Sequence, residues 1–315
     1  MPGGADLFIG FGGVVRRPAV VEAARWFVSS FSTLQRSLAT RKVAMVGSGA
    51  WACAAAKVVA GNLLALPDFD DELTMWVHEE EIDFPISRSS GGNGNGSNGN
   101  GTATKRLLSE VINEQNENVK YLPGIKLGKN VRAEPDLASS VKGANVLLIC
   151  APHQHASRIV RGLVGAVGKG GGGGSSTSSS TSPSISSSPP TVALSLIKGM
   201  RVRPEGPQLI SAMIERVLGV ETAVLMGANI AEEVARGGLT EATVAAASPA
   251  TAELFVRLFS TESFVVRACA DRVGVEMAGT LKNVVALAVG LATVRERGWE
   301  EKERGREKRG RRTER

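Results

Sequence analysis

The chain has 315 residues, 43% of them hydrophobic, and a formal charge of +6 from 37 basic and 31 acidic side chains. That length holds one large domain or two smaller ones. Ten basic and six acidic residues fall between Arg295 and Arg315, so the rest of the chain is nearly neutral and a nucleic-acid role for the whole molecule is excluded.

No uninterrupted run of about 18 apolar residues occurs, which predicts no membrane span. Cys53, Cys150 and Cys269 lie far apart in apolar segments without metal-ligand spacing, and read as buried free thiols in a reducing compartment. Residues 1–41 carry five arginines against Asp6 and Glu22, with Ser29, Ser30, Ser32 and Ser37. Such an extension reads either as an organelle transit peptide or as a disordered or loosely helical lead-in.

The stretch from Lys42 to Asn62 organises the rest of the chain. An apolar strand, Val43–Val46, meets Gly47-Ser48-Gly49-Ala50-Trp51-Ala52 and then an Ala/Val-rich helix whose one charge is Lys57. Strand, glycine turn and helix form the pattern of a dinucleotide-binding unit. Gly47 allows the sharp turn, Gly49 lets a pyrophosphate approach the backbone, and the small Ala52 lets the helix sit close to its strand. The helix N-terminus offers N–H groups and a positive dipole end to the phosphates.

A second strand, Leu73–Val77, ends at His78-Glu79-Glu80-Glu81. Glu79 or Glu80 could accept from the adenosine ribose hydroxyls. An acidic solvated loop is the other reading, because the separation from Gly47 is about 30 residues where about 20 is usual. Residues 91–102 and 168–190, rich in Gly/Asn and Gly/Ser/Thr/Pro, read as surface loops that have grown between regular elements.

Between those loops the pattern predicts a helix over Leu107–Gln115, a turn at 121–124, a short strand near Val131–Ala133 and a helix over Leu137–Lys142. Asn145–Ala151 reads as a buried parallel strand ending at Pro152-His153-Gln154-His155, the place where α/β sheets bind ligands. Two histidines without a third ligand favour a backbone-positioning or cofactor-rim role over a metal. The strand Val192–Ile197 delivers Lys198 to its carboxyl end, either toward an anionic or carbonyl ligand or simply to the surface. Ala223–Ala231 is a strand-to-helix turn of small residues, with Glu232 and Glu233 complementing the helix dipole. Finally, Val275–Ala292 reads as an apolar helix carrying Lys282. That lysine needs a partner or a route to solvent, and burial lowers an ammonium pKa, which suits a proton donor.

Seven collinear motifs across about 42–294 resemble NAD-dependent glycerol-3-phosphate dehydrogenase of the eukaryotic type. They are VGSGAW at 46–51, MWVHEEEI at 75–82, NENVKYLPGIKL at 116–127, APHQH at 151–155, SLIKG at 195–199, LMGANIAEEVA at 225–235 and GTLKNVVA at 279–286. The resemblance implies an NAD cofactor and reversible hydride transfer between NADH and dihydroxyacetone phosphate, giving sn-glycerol 3-phosphate. It implies that Gly47, Ser48, Gly49, Ala50, Trp51 and Ala52 form the pyrophosphate loop. His78 and His155 then stand where the family has aromatics beside the cofactor, and Ala231 where a backbone N–H meets it. Lys198 matches a substrate-orienting lysine, and Lys282 the catalytic lysine, with Asn283 beside it. Ala50 and Ala52 replace the family's asparagine and glycine in the loop.

The fold so implied is a Rossmann-like doubly wound α/β sheet over 42–270, followed at 271–294 by the start of an all-α substrate domain and at 295–315 by a charged tail. In the family that helical domain supplies an acidic and a hydroxyl residue beside the catalytic lysine and an Arg-Asn pair for the substrate phosphate. Arg295 to Arg315 has no such pattern, so the expectation is that most of the substrate domain is missing and turnover impaired. A non-catalytic NAD-binding protein or sensor is the alternative. The same reading gives a cytoplasmic enzyme, or a plastid or mitochondrial one through the N-terminal extension, and a homodimer where the full substrate domain is present.

Overall fold

The structure, a computed structural model, describes residues 40–85, 103–167 and 189–313, of which 295–313 are described by backbone alone. The expectations for 1–41 and for the loops 91–102 and 168–190 lie outside these residues, apart from their edges. The chain runs β1 (Arg41–Val46), α1 (Ala50–Leu63), β2 (Phe69–Trp76), the hairpin β3 (Glu81–Pro85) and β4 (Ala103–Leu107), then α2 (Leu108–Gln115). It continues through β5 (Val131–Glu134), α3 (Leu137–Ser140), β6 (Val146–Ile149), α4 (His153–Gly162) and β7 (Val192–Ser195). A second hairpin, β8 (Met200–Arg203) and β9 (Gly206–Leu209), precedes α5 (Ile210–Leu218), β10 (Glu221–Met226) and α6 (Ala231–Ala235). Last come β11 (Thr240–Ala245), α7 (Pro249–Phe259), β12 (Phe264–Cys269) and α8 (Arg272–Thr313).

Eight strands form one sheet in the order β12-β11-β10-β7-β6-β1-β2-β5. Neighbours are parallel except β10 and β11, which run antiparallel. The central strands are apolar at every position because both faces are covered. Val43 and Met45 of β1 with Val146 and Leu148 of β6 pack into one core beside α1 and α7; Ala44, Val46, Leu147 and Ile149 pack into the other beside α4 and α5. The small residues of α1, Ala52 to Ala56, are all buried, so this helix lies close on the sheet. The doubly wound α/β class is therefore the one observed.

Helix α8 departs from expectation in two ways. The sequence pattern ends it at Ala292 and leaves a solvated tail, whereas the helix runs on to Thr313. Glu, Lys and Arg, which dominate that stretch of sequence, have high helix propensity, so the backbone continues as helix without an apolar pattern. The sequence also predicts no membrane span. Yet Arg272–Val294 has a mean hydropathy of 1.5 and is long and apolar enough to cross a membrane, because charges interrupt it too sparsely to offset Leu, Val and Ala. Its two interior charges nonetheless dock it on the sheet domain. Lys282 donates to the carbonyl of Gly227 after β10. The fully buried Glu276 accepts from the backbone N–H of Ile210 at 2.7 Å, from that of Ser211 at 3.1 Å, and from the Ser211 hydroxyl.

Glu276 thus caps α5, whose own N-cap residue, Leu209, offers no side-chain acceptor. Removing it leaves buried donors unpaired. Glu276→Ala is expected to cost about 3 kcal/mol, read as a lower urea midpoint, with Glu276→Gln in between because its amide oxygen still accepts.

Candidate cofactor crevice and lysine site

The sheet order reverses between β1 and β6: the chain leaves β1 toward β2 on one side and leaves β6 toward β7 on the other. A crevice opens there at the carboxyl ends of the strands. It is a cavity of about 560 Å³ walled by residues 47–52 after β1, by Trp76, His78 and Glu80 after β2, by Tyr121, and by Cys150–Pro152, His155, Arg158 and Ile159 after β6. The whole predicted glycine loop therefore lines one cavity with both His78 and His155.

Backbone geometry explains the glycines. Gly47 has φ of +128°, and a Cβ there would lie 1.9 Å from the carbonyl oxygen of Cys150, so the turn closes directly on the end of β6. At Gly49 a Cβ would meet nothing within 4 Å: it would project into open space, the kind of cradle a diphosphate fills. Gly49 also caps α1 without a side-chain acceptor, and the first turn has no acidic residue, so the positive end of the helix faces the crevice unopposed. The loop is held from behind. Asn118, fully buried, donates to the Ser48 carbonyl at 2.9 Å, and the Cys53 thiol donates to the same oxygen at 3.3 Å. Sequence reading places Asn118 within a motif without assigning it a role; its signal, a polar residue in an otherwise packed turn, becomes legible once its partner 70 residues away is known.

The two acidic candidates separate. Glu80 lines the crevice and pairs with Lys120, while Glu79 accepts from the backbone N–H and hydroxyl of Ser109 at the start of α2. Trp76 donates its indole N–H to Pro135, and its ring lies 6.2 Å from that of His78. His153 turns away from the crevice onto Gly199, where an added Cβ would sit 3.2 Å from its ring. The thiols are less uniform than expected. Cys53 is buried, but Cys150 and Cys269 are half-buried, because each lies at the end of a strand. Burial pushes the Cys53 and Cys150 thiols up to about 12, so neither is a thiolate nucleophile.

Beyond Trp51 the carboxyl ends of β7 and β10 bring two lysines together. Lys282, on α8, reaches the Gly227 carbonyl at 2.6 Å. The Lys198 amine lies 5.4 Å over the Trp51 ring and 3.4 Å from the Asn229 carbonyl. Although Lys198 as a residue is exposed, desolvation of its amine, then the neighbouring Lys282 charge, lowers its pKa to about 8. Asn229 is 7% exposed, and both its side-chain Oδ1 and Nδ2 lack a partner among the described residues. A buried amide without partners is costly unless a ligand engages it. Sequence reading does not single Asn229 out either. Ala231 opens α6, which packs on α1 and is tied to it by Lys57 donating to the Ala235 carbonyl at 2.7 Å. Asn283 is exposed and forms no described side-chain bond.

A Rossmann sheet with a glycine cradle at its switch point is the architecture of a dinucleotide-binding domain. Residues 42–252 match the family model of the NAD-dependent glycerol-3-phosphate dehydrogenase N-terminus. The chain belongs to that family, whose cofactor is NAD, and the cradle fits one. It is 45% identical over 258 residues to the glycerol-3-phosphate dehydrogenase [NAD(+)] of Cuphea lanceolata, covering 82% of this chain and 59% of that one. It is 44% identical to the chloroplastic enzyme 1 of Arabidopsis thaliana, covering 82% and 54%. Among solved structures, DsGPDH of Dunaliella salina superposes with a TM-score of 0.65 at 44% identity, covering 92% of this chain and 44% of that chain. The chain thus spans a little over half the length of these curated relatives.

The depressed Lys198 amine carries a test. In the unfolded chain the amine titrates near 10.5, so between about 8 and 10.5 the unfolded state binds more protons and this group's contribution to stability rises with pH. Carbon-13 NMR of reductively methylated protein should give one lysine midpoint near 8, assigned by its loss in Lys198→Met. In Lys282→Met that midpoint should move up, since both the charge and the hydrogen bond of Lys282 that depress it are gone and only desolvation remains. An unmoved midpoint would show that the two amines do not sense each other.

Proposed function

We propose that this chain carries the catalytic machinery for reversible hydride transfer between NADH and dihydroxyacetone phosphate, giving sn-glycerol 3-phosphate. The observation that carries the proposal is the meeting of Lys198, Lys282 and the unpartnered Asn229 amide around Gly227, with Trp51 linking them to the glycine cradle. When bound, the nicotinamide supplies the redox chemistry, accepting or delivering hydride.

The residues of the chain supply the rest. Reduction of a carbonyl builds negative charge on its oxygen, and an ammonium held there stabilises that charge and then gives up a proton. Lys282 takes this role. Its bond to the Gly227 carbonyl holds the amine, and an ammonium has further N–H donors to offer. Lys198, steadied by the Trp51 face, orients the substrate, and Asn229 offers one donor and one acceptor to the same ligand. Gly47 to Ala52 hold the diphosphate, the Ala231 N–H meets the cofactor, and His78 and His155 flank it. Asn283 completes the site from α8.

We further infer the division into a cofactor domain at 42–270 and the opening of a helical substrate domain at 271–294. The exposed Leu287, Val289 and Leu291 of α8 support it, since apolar side chains exposed all round a helix ask for helical neighbours. Where the full substrate domain is present, we infer a homodimer. Relatives bear both cytoplasmic and chloroplastic names. The half-buried, unpaired thiols support the cytoplasm for this chain, with a plastid or mitochondrial destination the other reading of 1–41.

The test is NADH oxidation with dihydroxyacetone phosphate, together with NADH affinity from fluorescence. Lys282→Met is expected to lower turnover by about 10³-fold while leaving NADH affinity within about twofold. Gly49→Val, which fills the cradle, should instead weaken NADH binding. An undiminished rate in Lys282→Met, or NADH affinity unaltered in Gly49→Val, would overturn the reading, while family-like turnover by the unaltered chain would refute the expected impairment.

A further inference from the structure

Twelve arginine side chains are described. Six of them face a carboxylate in an ion pair, as Arg257 does on Asp68 and Arg272 on Glu215, and Arg41 lies in the field of Asp68. The five without such a partner are not scattered. Arg158 lines the cofactor crevice, and the other four, Arg161, Arg201, Arg203 and Arg216, all line a single second cavity of about 780 Å³. They arrive from three elements, α4, the β8–β9 hairpin and α5, with Glu205 the one acidic residue in the lining.

We propose that this recess is a binding site for a small oligophosphate, a ligand carrying two or more phosphate groups, separate from the cofactor crevice. Four guanidinium groups converging on one concavity repel one another, and the folded chain tolerates this arrangement best when an anion sits among them. The crowding is felt at Arg201, whose pKa falls through partial desolvation and then through the charges of Arg203, Arg161 and Arg216. Guanidinium forks bind phosphate oxygens in pairs, so four forks suit more than one phosphate group, and the cavity exceeds the crevice in volume. Gln208, whose side-chain oxygen is buried without a partner among the described residues, adds a polar group to the same lining. Helix α4 forms a shared wall. It turns His155, Arg158 and Ile159 to the cofactor crevice, and Ser157 and Arg161 to the arginine recess.

Calorimetric titration of the full chain with inorganic triphosphate, after saturation with NADH so that the crevice is filled, tests the assignment. One binding event is expected, weakening steeply with added salt. Arg201→Ala/Arg203→Ala should lower the affinity by about tenfold or more, and Arg161→Ala/Arg216→Ala should do the same from the opposite wall, with NADH affinity unchanged in both. The two pairs lie on different elements, so a folding defect in one leaves the other decisive. No heat with triphosphate, or unchanged affinity in both double variants, overturns the site. Equal affinity for orthophosphate overturns the oligophosphate assignment.

Discussion

The architecture depends on one close approach: the Gly47 Cα lies so near the Cys150 carbonyl that no side chain fits between them. This contact sets the spacing of two loops that leave adjacent parallel strands in opposite directions, and so it sets the width of the crevice. The loop cannot relax away from it. Its Ser48 carbonyl is gripped from the other side by Asn118 and Cys53, both buried. The result is a backbone surface fixed by packing, with a helix dipole behind it and space in front of Gly49. Preorganisation of that kind lets a diphosphate bind without an ordering cost at the loop.

A second constraint is electrostatic, and it works against stability. Two lysine amines at the ends of β7 and β10 face each other across Gly227, and a buried asparagine amide beside them has no partner among the described residues. A fold selected for stability alone would separate the charges or fill the site with apolar groups. A ligand with oxygen atoms would relieve both, which is why the arrangement makes these residues candidates for a binding site. The arginine recess on the far side of α4 follows the same logic with a cation that keeps its proton. Apart from Arg158 in the crevice, the other described arginines face or lie near carboxylates; there they do not.

Much of this was legible in the order of residues. Strands β1, β6 and β7 read as apolar runs because both their faces are covered, and the glycine loop reads through the steric demands of its turn. The motifs of the resemblance located both lysines. Other elements were not legible, for physical reasons. Helix α4 opens on His-Gln-His, so its buried positions, Ala156, Ile159 and Val160, stay hidden among polar neighbours. The hairpin β8–β9 carries Arg and Pro and lies half in solvent. The edge strand β12 and its neighbour β11 alternate polar with apolar weakly because one face meets α8 only in part. Asn118 and Glu276 act through partners 70 and 65 positions away, which no local pattern reveals.

Helix α8 shows how composition alone misleads. Its hydropathy suits a bilayer, yet its first turns are committed to the sheet by polar bonds that a membrane-crossing helix could not keep. Gly279 permits the seat: an added Cβ would lie 2.5 Å from the Met226 sulfur, so the helix rides directly on the end of β10. Glu276, one turn before, locks α8 to α5, and Lys282, one turn after, is thereby aimed at the Gly227 carbonyl. Past that point contact with the sheet ends, and Val284 to Val294 stand exposed on all sides of the helix. The same element is therefore two things in succession. As far as Lys282 it is part of the site, positioned by a buried carboxylate and a glycine; beyond it, it is an apolar rod that stands clear of the domain from which it grows.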